Sequence, residues 1–254
     1  VLVPVFNEQH LVAASLARLE VLETSPHLEA IQVVVVDDCS RDGTPDVLRA
    51  FARERGVLWQ EEGPLESGVE LKGHGRRGKI EWVFLRHVLN GGKGKAVRTA
   101  LAEATGKISV IHDADLEYHP RDLARIVKVF VEEDADAVFG SRFAGGEARR
   151  ALLFRHELGN RLLTFLTNWV SNVNLTDMET CYKVFRREII QSITIEEDRF
   201  GFEPEITAKI AKKGCRIYEV GISYYGRTYA EGKKIGWKDG VRAFYCVVKY
   251  NLFR

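Results

Sequence analysis

Apolar runs alternate with amphipathic stretches along the first 140 residues of the chain. Five runs are dense in valine, isoleucine and phenylalanine, which predicts buried strands. They are residues 1–6, 31–38, 80–87, 108–115 and 136–143. A helical pattern follows each of the first four. This alternation predicts βαβ units in an α/β domain, with a mostly parallel central sheet flanked by helices.

Three other stretches depart from this alternation. Residues 61–79 are polar, basic and rich in glycine, which predicts a solvated loop inserted between a helix and the next strand, with docking to an anionic surface as the alternative. Residues 148–173 read as a long helix in which basic residues precede apolar ones, and residues 237–254 mix aromatic residues with Lys and Arg. Both patterns suit core helices or membrane-interfacial helices, and we expect at least one to be interfacial.

Polar clusters occupy the ends of four predicted strands. They are Asn7-Glu8, Asp37-Asp38, residues 90–95 and residues 113–117. Ligands of parallel sheets bind beyond the carboxyl ends of the strands. We therefore expect these clusters to meet in one binding site.

Composition narrows the class of protein. The chain has 254 residues, 45% of them hydrophobic, which suits one large α/β domain. Its 37 basic and 36 acidic residues nearly balance, which argues against a nucleic-acid binder. Four cysteines lie far apart without zinc-site spacing, so we expect reduced thiols. No apolar run approaches the roughly 20 residues that cross a bilayer.

The acids Asp113, Asp115 and Glu117 follow the fourth strand and suggest a metal site. Hard divalent cations prefer oxygen ligands, and Mg²⁺ uses one or two carboxylates together with substrate phosphates. A solvated turn is the alternative. An EF-hand is excluded because Tyr118 and Ala124 stand where Gly and Glu are required. A haloacid-dehalogenase-type phosphatase is disfavoured because three strands precede the acids.

The other strand ends complete a nucleotide-diphosphate pocket. Asp37 and Asp38 can accept hydrogen bonds from a ribose or a base. The first turn lacks the glycine pattern of a dinucleotide fold, and residues 90–96 are not a Walker A loop. A glycine-rich turn that carries Lys93 and Lys95 before a helix still suits anion binding.

At this point the sequence resembles the family 2 glycosyltransferases, which have the GT-A fold. The matching segments are VPVFNE (3–8), VVVDDCSRDGT (34–44), NGGKGKAVRTAL (90–101), DADLEYHP (113–120), GSRF (140–143), TDMETCYKVFRRE (176–188) and FGFEPEI (200–206). GSRF, the stretch 177–188 and GRTYAEGKK (226–234) are most similar to the polyprenyl-phosphate glycosyltransferases of the dolichol-phosphate mannose synthase group.

The resemblance implies one GT-A domain over residues 1–254, with a nucleotide-sugar half (1–145) and an acceptor half (146–254). It also implies roles for individual residues. The nucleoside would contact Pro4, Phe6, Glu8, Asp37 and Asp38, with Lys93 nearby. Mg²⁺ or Mn²⁺ would be held by Asp113, Asp115 and Glu117. Donor or acceptor phosphates would meet Arg142, Arg227, Lys233 and Lys234, and a lipid phosphate one of Arg149, Arg150 and Arg155.

The acceptor decides whether the reaction needs a general base. A lipid phosphate is already anionic near neutral pH and needs none, whereas a saccharide hydroxyl needs a carboxylate within hydrogen-bond reach. Asp177 and Glu179 are the candidates. Asp177 could equally cap a helix or pair with Arg186 or Arg187. Glu179 departs from the family, which has TSGF where this chain has ETCY (179–182).

We therefore expect an inverting, metal-dependent transfer of a hexose from a UDP- or GDP-linked donor to polyprenyl phosphate. The enzyme would lie on the cytoplasmic face of a membrane. The alternative is a family 2 enzyme with a saccharide acceptor in cell-wall or surface polysaccharide synthesis. A binding module without turnover and a metal-dependent phosphatase are weaker alternatives. The oligomeric state, a homo-oligomer included, stays open.

Overall fold

A computed structural model describes residues 1–61, 68–145, 150–151, 154–228, 231–232 and 236–253. In these ranges the chain forms nine strands, eight α-helices and one 3₁₀ helix. The strands are β1 (Leu2–Val5), β2 (Ile31–Asp37), β3 (Leu58–Glu61), β4 (Val69–Arg77), β5 (Ile80–His87), β6 (Ile108–Val110), β7 (Ala137–Ser141), β8 (Lys183–Arg186) and β9 (Ile217–Gly221). The helices are α1 (Val12–Arg18), α2 (Thr44–Glu54), α3 (Lys93–Ala102), α4 (Arg121–Glu132), α5 (Phe154–Ser171), α6 (Arg187–Gln191), α7 (Phe202–Lys212) and α8 (Trp237–Leu252), with the 3₁₀ helix at Leu19–Thr24.

The central sheet has two parts, with strand orders β1-β2-β5-β4-β3 and β6-β8-β7-β9. A parallel bridge between Leu2 and Ile111 connects them. The expected parallel pairing is present between β1, β2 and β5 and between β7 and β9. The strands β3, β4 and β8 run antiparallel to their neighbours. The sheet is therefore mixed, but among the described strands only β4 and β8 oppose the common direction, which confirms the predicted α/β sheet flanked by helices.

Strand β2 lies between β1 and β5 and explains the valine run of the sequence. Val33, Val34, Val35 and Val36 are all fully buried. A strand covered on both faces needs apolar side chains at every position, which is why the run does not alternate with polar residues.

The stretch 61–79 is not the solvated loop that its composition suggested. Its residues Val69–Arg77 form β4, which pairs with β5 and β3 and extends the sheet. A Cβ atom on Gly73 would lie 2.8 Å from the Trp59 ring, and one on Gly75 would lie 2.7 Å from the Val57 backbone. The glycines thus allow a close approach inside a strand and do not mark a turn. Residues 62–67 of the expected loop lie outside the described residues.

Helices α5 and α8 pack against each other, and Ser171 Oγ donates a hydrogen bond to Asn251 Oδ1 at 2.5 Å. Each helix presents a row of large apolar side chains to solvent. The row on α5 contains Phe154, Leu158, Leu162, Phe165 and Trp169, and the row on α8 contains Trp237, Val241, Phe244, Tyr245 and Leu252. We call the two rows the apolar stripe. None of the helices in the described ranges is long and apolar enough to span a bilayer.

The close approach at β4 yields a stability prediction. We expect Gly75→Ala to lower the free energy of unfolding by about 1–3 kcal/mol, because the added methyl group meets backbone atoms that cannot rotate away. Urea denaturation measures the change.

The matched control is Gly106→Ala, whose new Cβ would lie 3.5 Å from the Ile108 carbonyl oxygen, an ordinary contact. Equal stability of the two variants would contradict the packing argument.

Candidate active site

A cavity of about 1130 Å³ lies beyond the carboxyl ends of β1, β2, β5, β6 and β7. Each of these strand ends contributes polar side chains to its wall. They are Glu8 after β1, Asp38 after β2, Asn90 and Lys93 after β5, Asp113 and Asp115 after β6, and Arg142 after β7. The structure thus brings the polar clusters of the sequence into one site.

The acids after β6 lie outside the strand, although we expected the strand to continue through Asp115. β6 ends at Val110, and Asp113 and Asp115 lie in the following loop. The His112 ring, within hydrogen-bond distance of Ser15 Oγ (3.1 Å) and Tyr182 Oη (3.0 Å), anchors the start of this loop in the core. A positive φ of 64° at Leu116 then reverses the chain.

Internal cations hold the two aspartates. Lys93 Nζ contacts Asp113 Oδ1 at 3.0 Å and donates a hydrogen bond to Glu203 Oε1 at 2.7 Å. Arg227 Nη2 donates to Asp115 Oδ2 at 3.0 Å, and another guanidinium nitrogen lies 3.4 Å from Glu8. The acidic wall is therefore already partly neutralised by Lys93 and Arg227.

Glu117 differs from its expected role as a third metal ligand. Its Oε2 accepts a hydrogen bond from Tyr224 Oη at 2.7 Å, and its Oε1 accepts one from the Arg227 backbone N–H at 2.8 Å. Both oxygens therefore fix the segment 224–227. Glu117 therefore has a structural role, and Asp113 and Asp115 remain as the candidate ligands.

Asp113 and Asp115 fit a divalent cation. Burial and the neighbouring charges of Asp113 and Glu117 raise the pKa of Asp115 to about 7, although Arg227 opposes the shift. Such a site favours an added positive charge. No group of three or more His, Cys, Asp or Glu side chains in the described ranges is arranged to hold a metal ion. Two carboxylates are nevertheless enough for Mg²⁺, which takes its other ligands from water and phosphates.

The acids after β2 have structural contacts. Asp38 lines the cavity, but its carboxylate accepts hydrogen bonds from Asn90 Nδ2 and from the backbone N–H groups of Gly91 and Gly92, all at 2.6–2.9 Å. It therefore shapes the glycine-rich loop. Asp37 does not line this cavity, unlike our expectation. It caps the turn at Ser40 and lies 3.3 Å from Arg86.

Asp177 positions Arg142 and does not have the geometry of a general base. Its two oxygens accept hydrogen bonds from Arg142 Nε at 2.6 Å and Nη2 at 2.7 Å, and Asn160 of α5 donates a third at 3.1 Å. Burial alone would raise the pKa of Asp177, but the Arg142 guanidinium holds it below the usual value. The expected alternatives, a helix cap or a pair with Arg186 or Arg187, are also absent from its contacts.

Glu179 lines the cavity, and its buried Oε1 has no hydrogen-bond partner among the described residues. Burial and the nearby carboxylate of Glu203 raise its pKa to about 7. Below the loop, Lys183 Nζ donates to the Met178 and Thr180 carbonyls at 2.7 and 2.5 Å. These bonds fix the backbone on either side of Glu179, whose side chain lines the cavity.

The remaining expected residues either line the cavity or lie outside the described residues. Those that line it are Pro4, Phe6, Arg150 and Arg155. The Arg150 guanidinium already donates hydrogen bonds to the Gly226 carbonyl and to Glu231. Those outside the described residues are Arg149, Lys233 and Lys234.

Sequence reasoning missed several wall residues. Tyr118 and Tyr224 lie with ring centroids 5.3 Å apart beside the acids, and the Arg142 guanidinium lies 5.1 Å from the Tyr224 ring. Single tyrosines carry no pattern that marks them. Glu203 lies inside the segment FGFEPEI (200–206), and membership of this segment is the signal that the sequence offers for it.

Comparisons with known proteins agree with this geometry. The family model described as Glycosyl transferase family 2 matches residues 1–194. An uncharacterized protein of Methanocaldococcus jannaschii is 25% identical over 259 residues, which cover 100% of this chain and 92% of that protein. Glycosyltransferase AglJ of Haloferax volcanii is 30% identical over 138 residues, 54% of this chain and 45% of its own length.

Solved structures of glucosyl-3-phosphoglycerate synthase from Mycobacterium tuberculosis share the fold. The complex with Mn²⁺, UDP-glucose and phosphoglyceric acid has a TM-score of 0.66 at 16% identity and covers 98% of this chain and 77% of that one. The complex with Mg²⁺ and UDP has a TM-score of 0.65 at 17% identity, with 98% and 77% coverage. The architecture is the GT-A fold, a mixed sheet flanked by helices.

The unpartnered Glu179 yields a pH-dependent prediction. Its folded pKa of about 7 exceeds its ordinary value of 4.5, so the unfolded chain ionises first. The cost of burying the carboxylate is therefore absent below pH 4.5 and grows until about pH 7. We expect Glu179→Gln to raise the free energy of unfolding by about 1–3 kcal/mol at pH 8 and to have little effect at pH 4.5.

Urea denaturation across this pH range measures the difference. The exposed Glu132→Gln, on α4, is the control, and its effect should not depend on pH in this way. A stability difference for Glu179→Gln that is constant with pH would contradict the assignment.

The pair of Asp177 and Arg142 yields a second prediction. We expect Asp177→Asn and Arg142→Gln each to destabilise the fold by about 3 kcal/mol, because each leaves a buried partner uncompensated. In the double variant the effects should fall short of additivity by at least about 1 kcal/mol. A thermodynamic cycle from urea denaturation measures this coupling, and simple additivity would refute the positioning role.

Proposed function

The chain belongs to glycosyl transferase family 2, and on this basis we propose that it transfers a hexose from a nucleotide sugar to a polyprenyl phosphate at a membrane surface. The family accounts for the enzyme class. The donor base, the sugar and the lipid acceptor are our proposal. They are supported by the shape and chemistry of the cavity and its surroundings.

The strand-end wall of the cavity suits a nucleoside diphosphate and a divalent cation. Glucosyl-3-phosphoglycerate synthase, which shares the fold, has been crystallised with UDP-glucose and Mn²⁺ and with UDP and Mg²⁺. In this chain Asp113 and Asp115 would hold Mg²⁺ or Mn²⁺. Pro4, Phe6 and Glu8 would line the nucleoside end of the same wall.

The observation that carries the lipid acceptor is the apolar stripe. It borders the cavity, because Trp237 belongs to the stripe and also lines the cavity wall. Helices α5 and α8 supply further wall residues, among them Arg155, Gly159 and Gly240. Trp169 and Trp237 are 75% and 76% exposed, which is costly in water and typical of a face that contacts lipid headgroups and acyl chains. A soluble acceptor would need no such surface next to the site.

The proposed location follows from the same surface. An interfacial face of this kind lies at headgroup depth and does not cross the membrane. We propose that the enzyme sits peripherally on the cytoplasmic face, with the cavity mouth turned toward the lipid phosphate. Arg142 and Arg155 line the cavity and would meet this phosphate.

The reaction is a direct displacement. A phosphate oxygen of the acceptor forms a bond to the anomeric carbon, the bond from this carbon to the diphosphate oxygen breaks, and the nucleoside diphosphate leaves with the electron pair. The configuration at the anomeric carbon inverts. The acceptor is already ionised near neutral pH, so no protein base is required.

This chain's own cations assist the departure of the diphosphate. Lys93 and Arg227 form ion pairs with Asp113 and Asp115 on the wall. They would place positive charge near the oxygen of the leaving diphosphate, where negative charge develops. The bound metal ion would supply further Lewis-acid stabilisation of the diphosphate.

A saccharide acceptor is the second candidate. The specific observation in its favour is the unpartnered carboxyl group of Glu179, which could accept the proton of an attacking hydroxyl. Transfer that requires a saccharide and ignores lipid phosphate would decide for this candidate.

The test is transfer of radiolabelled sugar from UDP-glucose, UDP-GlcNAc and GDP-mannose to undecaprenyl or dolichyl phosphate in vesicles. We expect one donor to give a lipid-linked product with Mn²⁺ or Mg²⁺ and none with EDTA. Combining Phe165→Glu with Trp169→Glu should lower vesicle binding and lipid transfer tenfold or more, because two apolar contacts are replaced by charge.

The control is Val131→Glu, an equally exposed apolar position on α4 outside the stripe, which should leave vesicle binding and transfer unchanged. Absence of lipid product from all three donors would refute the proposed function. Full transfer by the double variant would refute the docking surface.

A further inference from the structure

Two carboxyl groups on the wall of the cavity each have one buried oxygen without a hydrogen-bond donor. Glu179 Oε1 and Glu203 Oε2 are both buried, and neither has a partner among the described residues. The other oxygen of Glu203 accepts the Lys93 ammonium at 2.7 Å. A buried acceptor oxygen without a donor is unfavourable, so a ligand that supplies donors would be bound there.

The two acids reach the cavity from different elements. Glu203 lies in the first turn of α7, and Glu179 lies in the loop between α5 and β8. They are close enough for the charge of Glu203 to raise the pKa of Glu179. Lys183, fully buried, braces the Glu179 loop through the Met178 and Thr180 carbonyls and is not bonded to either carboxyl group.

The contacts of Lys93 order this part of the cavity. Lys93 joins Asp113, at the metal and diphosphate end, to Glu203. Glu203 is thus one side chain away from the diphosphate position, and Glu179 lies beside Glu203. In a nucleotide sugar, the group attached to the diphosphate on the side away from the nucleoside is the hexose.

Chemistry selects the ligand group. Carboxylate oxygens need hydrogen-bond donors, which excludes a phosphate. A uronic acid would bring a third carboxylate next to two acids and would be repelled. The hydroxyl groups of a neutral hexose supply several O–H donors to such oxygens.

We propose that Glu179 and Glu203 form the subsite that binds the hydroxyl groups of the transferred hexose and select a neutral sugar over a uronic acid. This inference rests on the proposed function only in that the donor is a nucleotide sugar. It holds for either acceptor. It assigns to Glu179, where the chain departs from the family segment, a role in donor recognition.

The experiment is isothermal titration calorimetry with Mn²⁺, using the pairs UDP and UDP-glucose and GDP and GDP-mannose. For the pair that the wild-type protein binds, we expect Glu179→Ala to weaken the nucleotide sugar tenfold or more. The nucleoside diphosphate alone should bind within twofold of wild type. Glu203→Gln keeps the shape of the side chain and should also weaken the nucleotide sugar, while a change in the affinity for the diphosphate alone would report its contact with Lys93.

The matched control is Glu157→Ala. Glu157 is a cavity acid on α5 whose carboxylate pairs with Arg161 at 2.7 Å, and its loss should change neither affinity. The uronate counterpart of the preferred donor should bind at least tenfold more weakly than the neutral donor. Thermal denaturation verifies that each variant is folded.

The outcomes separate the hypotheses. Equal weakening of diphosphate and nucleotide sugar, or no weakening of either, overturns the sugar subsite while the proposed function stands. Loss of transfer with both affinities unchanged overturns it in favour of a general-base role for Glu179. A wild-type protein that binds neither nucleoside diphosphate refutes the proposed function and the subsite together.

Discussion

The concentration of carboxylates at the carboxyl edge of the sheet is the constraint on which the rest of the site depends. The side chains of Asp113, Asp115 and Glu203 are largely buried in the wall of one cavity, where like charges repel strongly. Lys93 and Arg227 are the internal cations that make this arrangement compatible with a folded protein. Each contacts two or more acids, so each side chain fixes several parts of the wall at once.

The same balance separates structural acids from acids that face a ligand. Asp38 and Asp177 are fully hydrogen-bonded, and they shape the glycine-rich loop and orient Arg142. Asp115 and Glu179 remain under-compensated, which is visible in their raised pKa values. An acid that is costly in the empty protein is stabilised when a cation or a hydroxyl-bearing ligand arrives. These acids lower the folding stability of the ligand-free protein and favour ligand binding, a trade-off that is common at functional sites.

The apolar stripe depends on hydrophobic exposure and not on charge balance. Helices α5 and α8 bury one face against the domain and expose the apolar stripe, while α5 also ties into the polar site through Asn160 and Asp177. The stripe and Arg142 on the cavity wall are therefore linked through α5 and Asp177. In this way one helix joins an exposed apolar face to a charged cavity.

The sequence by itself determined the central strands and the edge at which the site forms. A valine run such as Val33–Val36 suits only a strand covered on both faces, and polar residues after parallel strands must meet at one edge. Only the tertiary structure decided that β4 is a strand. Gly73 and Gly75 are needed there because Trp59 and Val57 pack directly against them, and composition does not reveal such neighbours. It also decided that Asp177 belongs to Arg142 and that Glu179 lies beside Glu203. These pairings join residues separated in the chain, and local pattern carries no information about which charged side chains long-range packing will bring together.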